Sequence, residues 1–138
     1  MREIFIDTNI LIDLVSEREP FSTYARELFI VGEEKSISIN ICAISYNNVY
    51  YIVRKHLGRE KAQMSIKLIS DITKCLPVDN TIIKQAMTSQ FRDFEDAIQY
   101  YCALQIPKCE AIITRNIKDF KLSAIPVMRP DIFWAEEI

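Results

Sequence analysis

The sequence contains only two glycines, Gly32 and Gly58, among 138 residues. Phosphate-binding loops of the GxGxxG and GxxxxGK[ST] types need glycines at short, fixed spacings that these two cannot provide. Nucleotide binding of the Rossmann or P-loop kind is therefore excluded. The chain also has one histidine, His56, which lies in a basic segment, so nothing supports a triad with a histidine base.

An excess of positive charge is also missing. Lys and Arg number 17 against 19 Asp and Glu, and the formal net charge is -2. No overall cationic field draws this chain to nucleic acid or to an anionic membrane, so any contact with nucleic acid must be local. Acidic residues interrupt the N-terminal apolar segment, and no run approaches the roughly 20 apolar residues that span a bilayer. We expect a soluble cytoplasmic protein with no membrane partner.

The cysteines and the largest aromatic residues are candidates for the core. Cysteine occurs four times without a CxxC pair, at positions 42, 75, 102 and 109. Since all four lie within or beside apolar runs, we expect buried, reduced thiols rather than a disulfide framework or a zinc site. Tyr50, Tyr51 and Trp134 are also expected to pack in the core rather than to form an interface.

The apolar pattern predicts an α/β fold. An apolar content of 49% can fill one core, so we expect a single domain over residues 1–138. Strand-length apolar runs lie at residues 4–6, 37–41, 75–78, 111–113 and 126–128. Helical periodicity separates them, with two helices at about 43–57 and 59–73 divided by Gly58 in the αL conformation. This alternation favours a parallel sheet covered by helices on both faces.

Polar side chains stand where the predicted strands end. Asp7 follows the first run, Asn116 follows the fourth, and Asp119 comes one helical turn later. Asp96 lies at the edge of a helical apolar stripe, and Asp93 lies one turn before it. Ligands bind outside the carboxyl ends of strands in an open parallel sheet, so these distant residues are able to converge there.

Structural explanations remain open for each of these residues. Asp7 and Asn116 are good helix caps, and acids in the first turn of a helix complement its dipole, as Asp93 and Asp96 would. Asn48 interrupts an otherwise apolar run, where it either belongs to a core hydrogen-bond network or orients a ligand, a water or a carboxylate.

Electrostatics decides what clustered acids would need. Two carboxylates about 5 Å apart repel by roughly 3 kcal/mol at an effective dielectric of 20, unless a cation or a shared proton neutralises them. A hard divalent cation is the simplest neutraliser. Because the available ligands are oxygens, the pattern favours Mg²⁺ or Mn²⁺ over Zn²⁺.

The order of the sequence blocks resembles the PIN-domain superfamily of nucleases, which includes the VapC-type toxins of toxin–antitoxin pairs. The blocks are IFIDTNILIDL, AISYNNVYYI, DFEDAIQYYCAL, AIITRNIKDF and IPVMRPDIF. The resemblance implies a three-layer α/β/α domain with a parallel five-stranded sheet in the order 3-2-1-4-5. It also implies an acidic metal site that cleaves RNA, an antitoxin partner and a possible homodimer.

The resemblance assigns the family's first acid to Asp7 and the acid opening the C-terminal helix to Asp96, and Asp119 matches a frequent additional acid. Where the family has a Glu after strand two and an acid after the Thr-Arg pair, this chain has Asn48 and Asn116. These amides lower the negative charge of the site, for which Asp93 or Asp119 would compensate. We expect metal ligands at Asp7, Asp96 and Asp119, and RNA contacts at Arg115, Lys118 and Lys121.

Two competing functions follow from the same residues. The amides at positions 48 and 116 are also consistent with an attenuated PIN-like domain that binds RNA or protein without cutting. A receiver-like signalling domain would share the acidic pocket, but it needs a lysine at the end of the last strand. Met128 is followed there by Arg129 and Pro130.

Overall fold

The computed structural model describes residues 1–137, along which strands alternate with helices. The strands are β1 (Arg2–Ile6), β2 (Ile37–Cys42), β3 (Lys74–Leu76), β4 (Cys109–Ile113) and β5 (Val127–Met128). The α-helices are α1 (Thr8–Ser16), α2 (Phe21–Glu34), α3 (Ala43–Leu57), α4 (Arg59–Ile72), α5 (Asn80–Thr88), α6 (Phe94–Ala103) and α7 (Pro130–Glu137). A 3₁₀ helix covers Ile117–Phe120. Each predicted strand segment overlaps one observed strand.

The five strands form one parallel sheet in the order β3-β2-β1-β4-β5. Parallel neighbours need long crossovers, which the helices between the strands supply. The chain builds β2 and β3 on one side of β1, and then passes to the other side for β4 and β5. The strand order therefore reverses beside β1, and the predicted order 3-2-1-4-5 is confirmed.

Alternation along the strands separates two apolar cores, one on each face of the sheet. Ile4 and Ile6 of β1 pack with residues of α1, α2, α3, α4 and α7, whereas Phe5 packs with residues of α5 and α6. Full burial of a side chain such as Ile4 contributes about 1.5–3 kcal/mol. The three-layer α/β/α architecture is confirmed.

Gly58 separates α3 from α4 as predicted, but not in the αL conformation. Its φ of 92° lies in the region that favours glycine, whereas its ψ of 169° lies outside the αL basin, so that prediction is wrong. The Gly58 N–H donates to the carbonyl of Arg54 at 3.0 Å, and the Gly58 carbonyl accepts from Ala62 at 3.1 Å. One residue thereby ends α3 and begins α4.

Two expectations about the core are also wrong. Cys42 and Cys102 are buried, but Cys75 is exposed because β3 is a three-residue strand at the edge of the sheet. Tyr50 and Trp134 pack against the core, whereas Tyr51 of α3 is 65% exposed. No helix within residues 1–137 is long and apolar enough to cross a membrane.

Candidate functional site

Asp7 is held in place at the carboxyl end of β1. Its backbone N–H donates to the carbonyl of Ile113 at 2.9 Å, and its side chain is buried, with only 3% of the residue exposed. The side chain occupies the N-cap position of α1 but forms no capping hydrogen bond. Gln99 Nε2 donates to one carboxylate oxygen at 3.0 Å, and Thr114 Oγ1 donates to the other at 2.7 Å. Capping therefore does not explain Asp7.

Gln99 connects this carboxylate to the start of α1. Its Oε1 accepts the backbone N–H of Thr8 at 3.1 Å, and the Thr8 hydroxyl lies 2.7 Å from that of Ser45. All these polar groups are buried, and Gln99 is 1% exposed. Sequence reasoning missed Gln99, although an amide in the apolar stripe of α6, one turn after Asp96, was an available signal.

Burial raises the pKa of the Asp7 carboxyl above its usual range, because desolvation disfavours the charged form. Hydrogen bonds from Thr114 and Gln99 oppose this rise, as do the nearby backbone N–H groups of Asn9 and Thr8. These hydrogen bonds therefore stabilise the charged form of the Asp7 carboxyl, which burial alone would disfavour.

Gln99→Met should destabilise the fold by about 1–3 kcal/mol, because it leaves a buried carboxylate oxygen without its donor. The substitution should raise the pKa of Asp7 in the folded protein further. A carboxyl whose pKa is higher in the folded than in the unfolded state lowers stability only at pH values above its unfolded-state pKa. Urea denaturation should therefore show a larger loss at pH 8 than at pH 4. An equal loss at both pH values would indicate a packing defect alone.

Asp96 lies in the first turn of α6, at the edge of an acidic cavity. Asp93 is the N-cap of this helix and accepts the Asp96 N–H at 2.9 Å, so capping accounts for one of its oxygens. The cavity has a volume of about 350 Å³. Its charged lining consists of Arg92, Asp93, Asp96, Lys118, Asp119 and Lys121. The structure thus brings the predicted residues Asp96, Asp93 and Asp119 together.

Asp96 sits in an environment that opposes its negative charge. Desolvation, followed by the charges of Asp7, Asp93, Asp119 and Glu95, raises the pKa of the Asp96 carboxyl to about 7. Asp7 contributes to this shift through its charge, but it is not among the residues that line the cavity. Within the part of the chain that the structure describes, Asp96 forms no ion pair.

Glu95 is a further carboxylate that the sequence analysis did not assign to the site. Asn48 Nδ2 donates to Glu95 Oε1 at 2.8 Å, so the residue that replaces the expected Glu holds another Glu nearby. Burial first, then the charges of Asp7 and Asp93, raise the pKa of Glu95. Asn47 is exposed and Asn48 is half-buried, so neither belongs to a core network.

Neither Asn116 nor Arg115 lines the acidic cavity. The Asn116 backbone N–H donates to Thr114 Oγ1 at 3.0 Å, and the residue lines a separate cavity with Phe21 and Arg129. Arg115 donates to both oxygens of Asp13, at 2.6 and 3.1 Å, with its guanidinium 4.0 Å from the centre of the Phe21 ring. Its charge is therefore already paired.

The acidic side chains do not form a closed metal site as they stand. Across residues 1–137, no three His, Cys, Asp or Glu side chains are grouped closely enough to hold a metal ion. Asp7 and Asp96 come from neighbouring elements, while Asp119 and Glu95 are exposed on their flanks. The arrangement places several acids beside a cavity whose lining also carries three cations, Arg92, Lys118 and Lys121.

The chain matches a known protein family in sequence and solved structures in fold. A family model described as PIN domain matches residues 3–118. No curated protein sequence matches the chain. Among solved structures, the chain is similar to a toxin–antitoxin complex from Klebsiella pneumoniae, with 26% identity and a TM-score of 0.63 over 92% of this chain and 97% of that one.

Two further structures share the fold at lower identity. VapBC-1 from nontypeable Haemophilus influenzae is 19% identical, with a TM-score of 0.67 over 94% of this chain and 98% of that one. Mycobacterium tuberculosis VapC20, a Sarcin-Ricin loop cleaving toxin, is 15% identical, with a TM-score of 0.63 over 79% of this chain and 86% of that one.

Proposed function

The chain belongs to the PIN-domain family, and from this premise we propose that it is a metal-dependent ribonuclease and the toxin of a toxin–antitoxin pair. The observation that supports this most is the position of Asp96, where desolvation first and then the charges of four other carboxylates raise its pKa to about 7. Such crowding is costly without a cation, and oxygen-only donors suit Mg²⁺ or Mn²⁺.

Asp7, Asp96 and Asp119 would hold the metal. Asp7 is fixed by Gln99 and Thr114, whereas the exposed Asp119 is free to rotate toward a bound ion. Glu95 replaces the carboxylate that position 48 lacks, with Asn48 as the residue that orients it. The donors fit a hard cation in kind, and the shell would close as the exposed side chains turn inward.

The bound metal would polarise the phosphoryl group and lower the pKa of an attacking water. The protein would supply position and charge. Lys118 and Lys121 on the rim of the cavity would contact RNA phosphates beside the acids. Because Arg115 is paired with Asp13, its role would be to fix the loop that carries Thr114 and Asn116.

An antitoxin is the protein partner that this proposal implies, because the structures similar to this chain include toxin–antitoxin complexes. A homodimer is a further expectation from the family. Co-purification of the chain with the product of a neighbouring gene, followed by measurement of the mass of the complex, would test both.

One observation favours a second function, that of an attenuated domain that binds RNA or protein without cutting. The side chains of residues 1–137 do not form a closed metal site, and amides stand at positions 48 and 116. Metal binding separates the two functions, because a ligand that binds the folded state raises its melting temperature and a degenerate site gives no such shift.

Mn²⁺ should bind about tenfold more weakly at pH 6 than at pH 8, because the metal must displace a proton from a carboxyl whose pKa is about 7. Isothermal titration calorimetry at pH 6, 7 and 8, in buffers of different ionisation enthalpy, measures the affinity and the released proton together. Asp71→Asn, at an exposed acid remote from the cavity, should leave this dependence unchanged. An affinity that is equal at pH 6 and pH 8 would contradict the assignment.

A further inference from the structure

A further cavity, of about 400 Å³, lies between α1 and α3 and adjoins the acidic residues. Asn9 of α1, Asn47, Asn48 and Tyr51 of α3, and Glu95 of α6 line it together with apolar side chains at its base. We call this cavity the amide pocket. Glu95 connects it to the acidic site, because it is adjacent to Asp96 in the first turn of α6 and its carboxylate accepts from Asn48.

Asn47 and Tyr51, two of the α3 residues in the amide pocket, have no evident structural purpose. Tyr51 lies four positions after Asn47 and three after Asn48, so its side chain neighbours each of them on the helix surface. Asparagine is a poor helix former, and a tyrosine that is 65% exposed contributes little to the core. Positions that oppose local preference and face a cavity are expected at functional sites.

The amides in this pocket have hydrogen-bonding capacity to spare. Within residues 1–137, the side chains of Asn9 and Asn47 form no hydrogen bond, and Asn48 uses one N–H for Glu95. Each amide offers donors and an acceptor side by side, which is the pattern that pairs with the edge of a nucleobase.

We propose that the amide pocket binds one unpaired base of the RNA substrate, stacked on Tyr51 and contacted at its edge by Asn47. The proposal rests on the proposed ribonuclease function, and it makes this pocket the place where a base next to the cleaved bond is selected. Proteins read single-stranded RNA by stacking bases on aromatic rings and bonding their edges.

The charge of the pocket favours a base over a phosphate. Glu95 repels phosphate oxygens, but its carboxylate accepts from an exocyclic amino group. The amide oxygens of Asn9 and Asn47 also accept from such groups. The pocket should therefore prefer adenine, cytosine or guanine, whose amino groups supply two N–H donors, to uracil, whose Watson–Crick edge has a single N–H donor.

Binding of short single-stranded RNA tests the proposal. Tyr51→Ala should weaken binding of an oligoadenylate about tenfold or more in EDTA, and Tyr51→Phe should restore it because the ring remains. Asn47→Ala should lower the preference for oligoadenylate over oligouridylate. Asn80→Ala changes an exposed asparagine on α5, outside the pocket, and should behave as the wild type. Fluorescence anisotropy gives the affinities, and thermal denaturation shows that each variant is folded.

The outcomes of these measurements distinguish a failure of the base-binding proposal from a failure of the proposed ribonuclease function. If Tyr51→Ala and Asn47→Ala bind both RNAs and cut at the same positions as the wild type, the amide pocket is not a base site although the nuclease stands. If the variants lose only co-purification with a protein partner, the surface belongs to that partner and the proposal is wrong. A wild-type protein that neither binds nor cuts RNA would overturn the proposed function itself.

Discussion

Asp96→Asn is expected to lower the proposed ribonuclease activity by on the order of 10³-fold. The substitution removes a charged ligand of the metal ion that would neutralise the phosphoryl charge. The amide has nearly the same shape and should not disturb α6. The raised pKa of Asp96 gives the sign of the stability change. A carboxyl whose folded-state pKa exceeds its unfolded-state value destabilises the fold at high pH. The variant should therefore be at least as stable as the wild type at pH 8, with no gain below about pH 4.

Cleavage assays on transfer and ribosomal RNA with Mn²⁺, beside thermal denaturation at pH 8, measure both effects. Asp7→Asn should also abolish cleavage, whereas Asp71→Asn at a remote exposed acid should leave it unchanged. Full activity of Asp96→Asn in a preparation that chelators inhibit would show that another group holds the metal. Loss of folding together with activity would show that Asp96 supports the structure.

Arg115→Met should destabilise the protein by about 3–5 kcal/mol, because it leaves the charge of Asp13 buried without its partner. Asp13 has a side-chain exposure of 1%, and Arg115 donates to both of its oxygens. Arg18 is the other cation near Asp13, at 3.9 Å, but it is mostly exposed and does not replace a two-point contact. The melting temperature should fall by about 10 °C.

A paired substitution identifies the cause of this loss. Replacing a buried ion pair by apolar residues of similar size is often neutral, so Asp13→Leu together with Arg115→Met should recover most of the lost stability. Chemical denaturation of the two single variants and the double variant gives the coupling energy. If the double variant is as unstable as the sum of the single ones, the two residues act independently and the ion pair is not the cause.

The parts of the fold that could be predicted are those marked by a pattern of neighbouring residues in the sequence. An apolar run such as residues 37–41 indicates a buried strand because both faces of a parallel sheet are covered. The break between α3 and α4 was visible at Gly58, and the strand order followed from the family resemblance. Asp7 and Asp96 were visible as acids at the ends of apolar segments.

The contacts that define the site carry no such signal. Gln99 donates to an acid 92 positions earlier, and Arg115 pairs with an acid 102 positions earlier. Local periodicity reports only which face of an element is buried, so it cannot indicate a partner that the sheet brings close. For the same reason no local pattern indicated that Arg115 pairs with Asp13, and Glu95 was passed over beside Asp96.

The hydrogen bond from Thr114 to Asp7 makes the geometry of the proposed site depend on a residue that is synthesised late. The acid is made among the first residues, yet the hydroxyl that fixes it belongs to the segment after β4, which itself pairs with β1 and β5. A nascent chain that ends before residue 114 therefore lacks one of the two side-chain donors that hold Asp7. The geometry of this acid is therefore complete only when about four-fifths of the polypeptide has been synthesised.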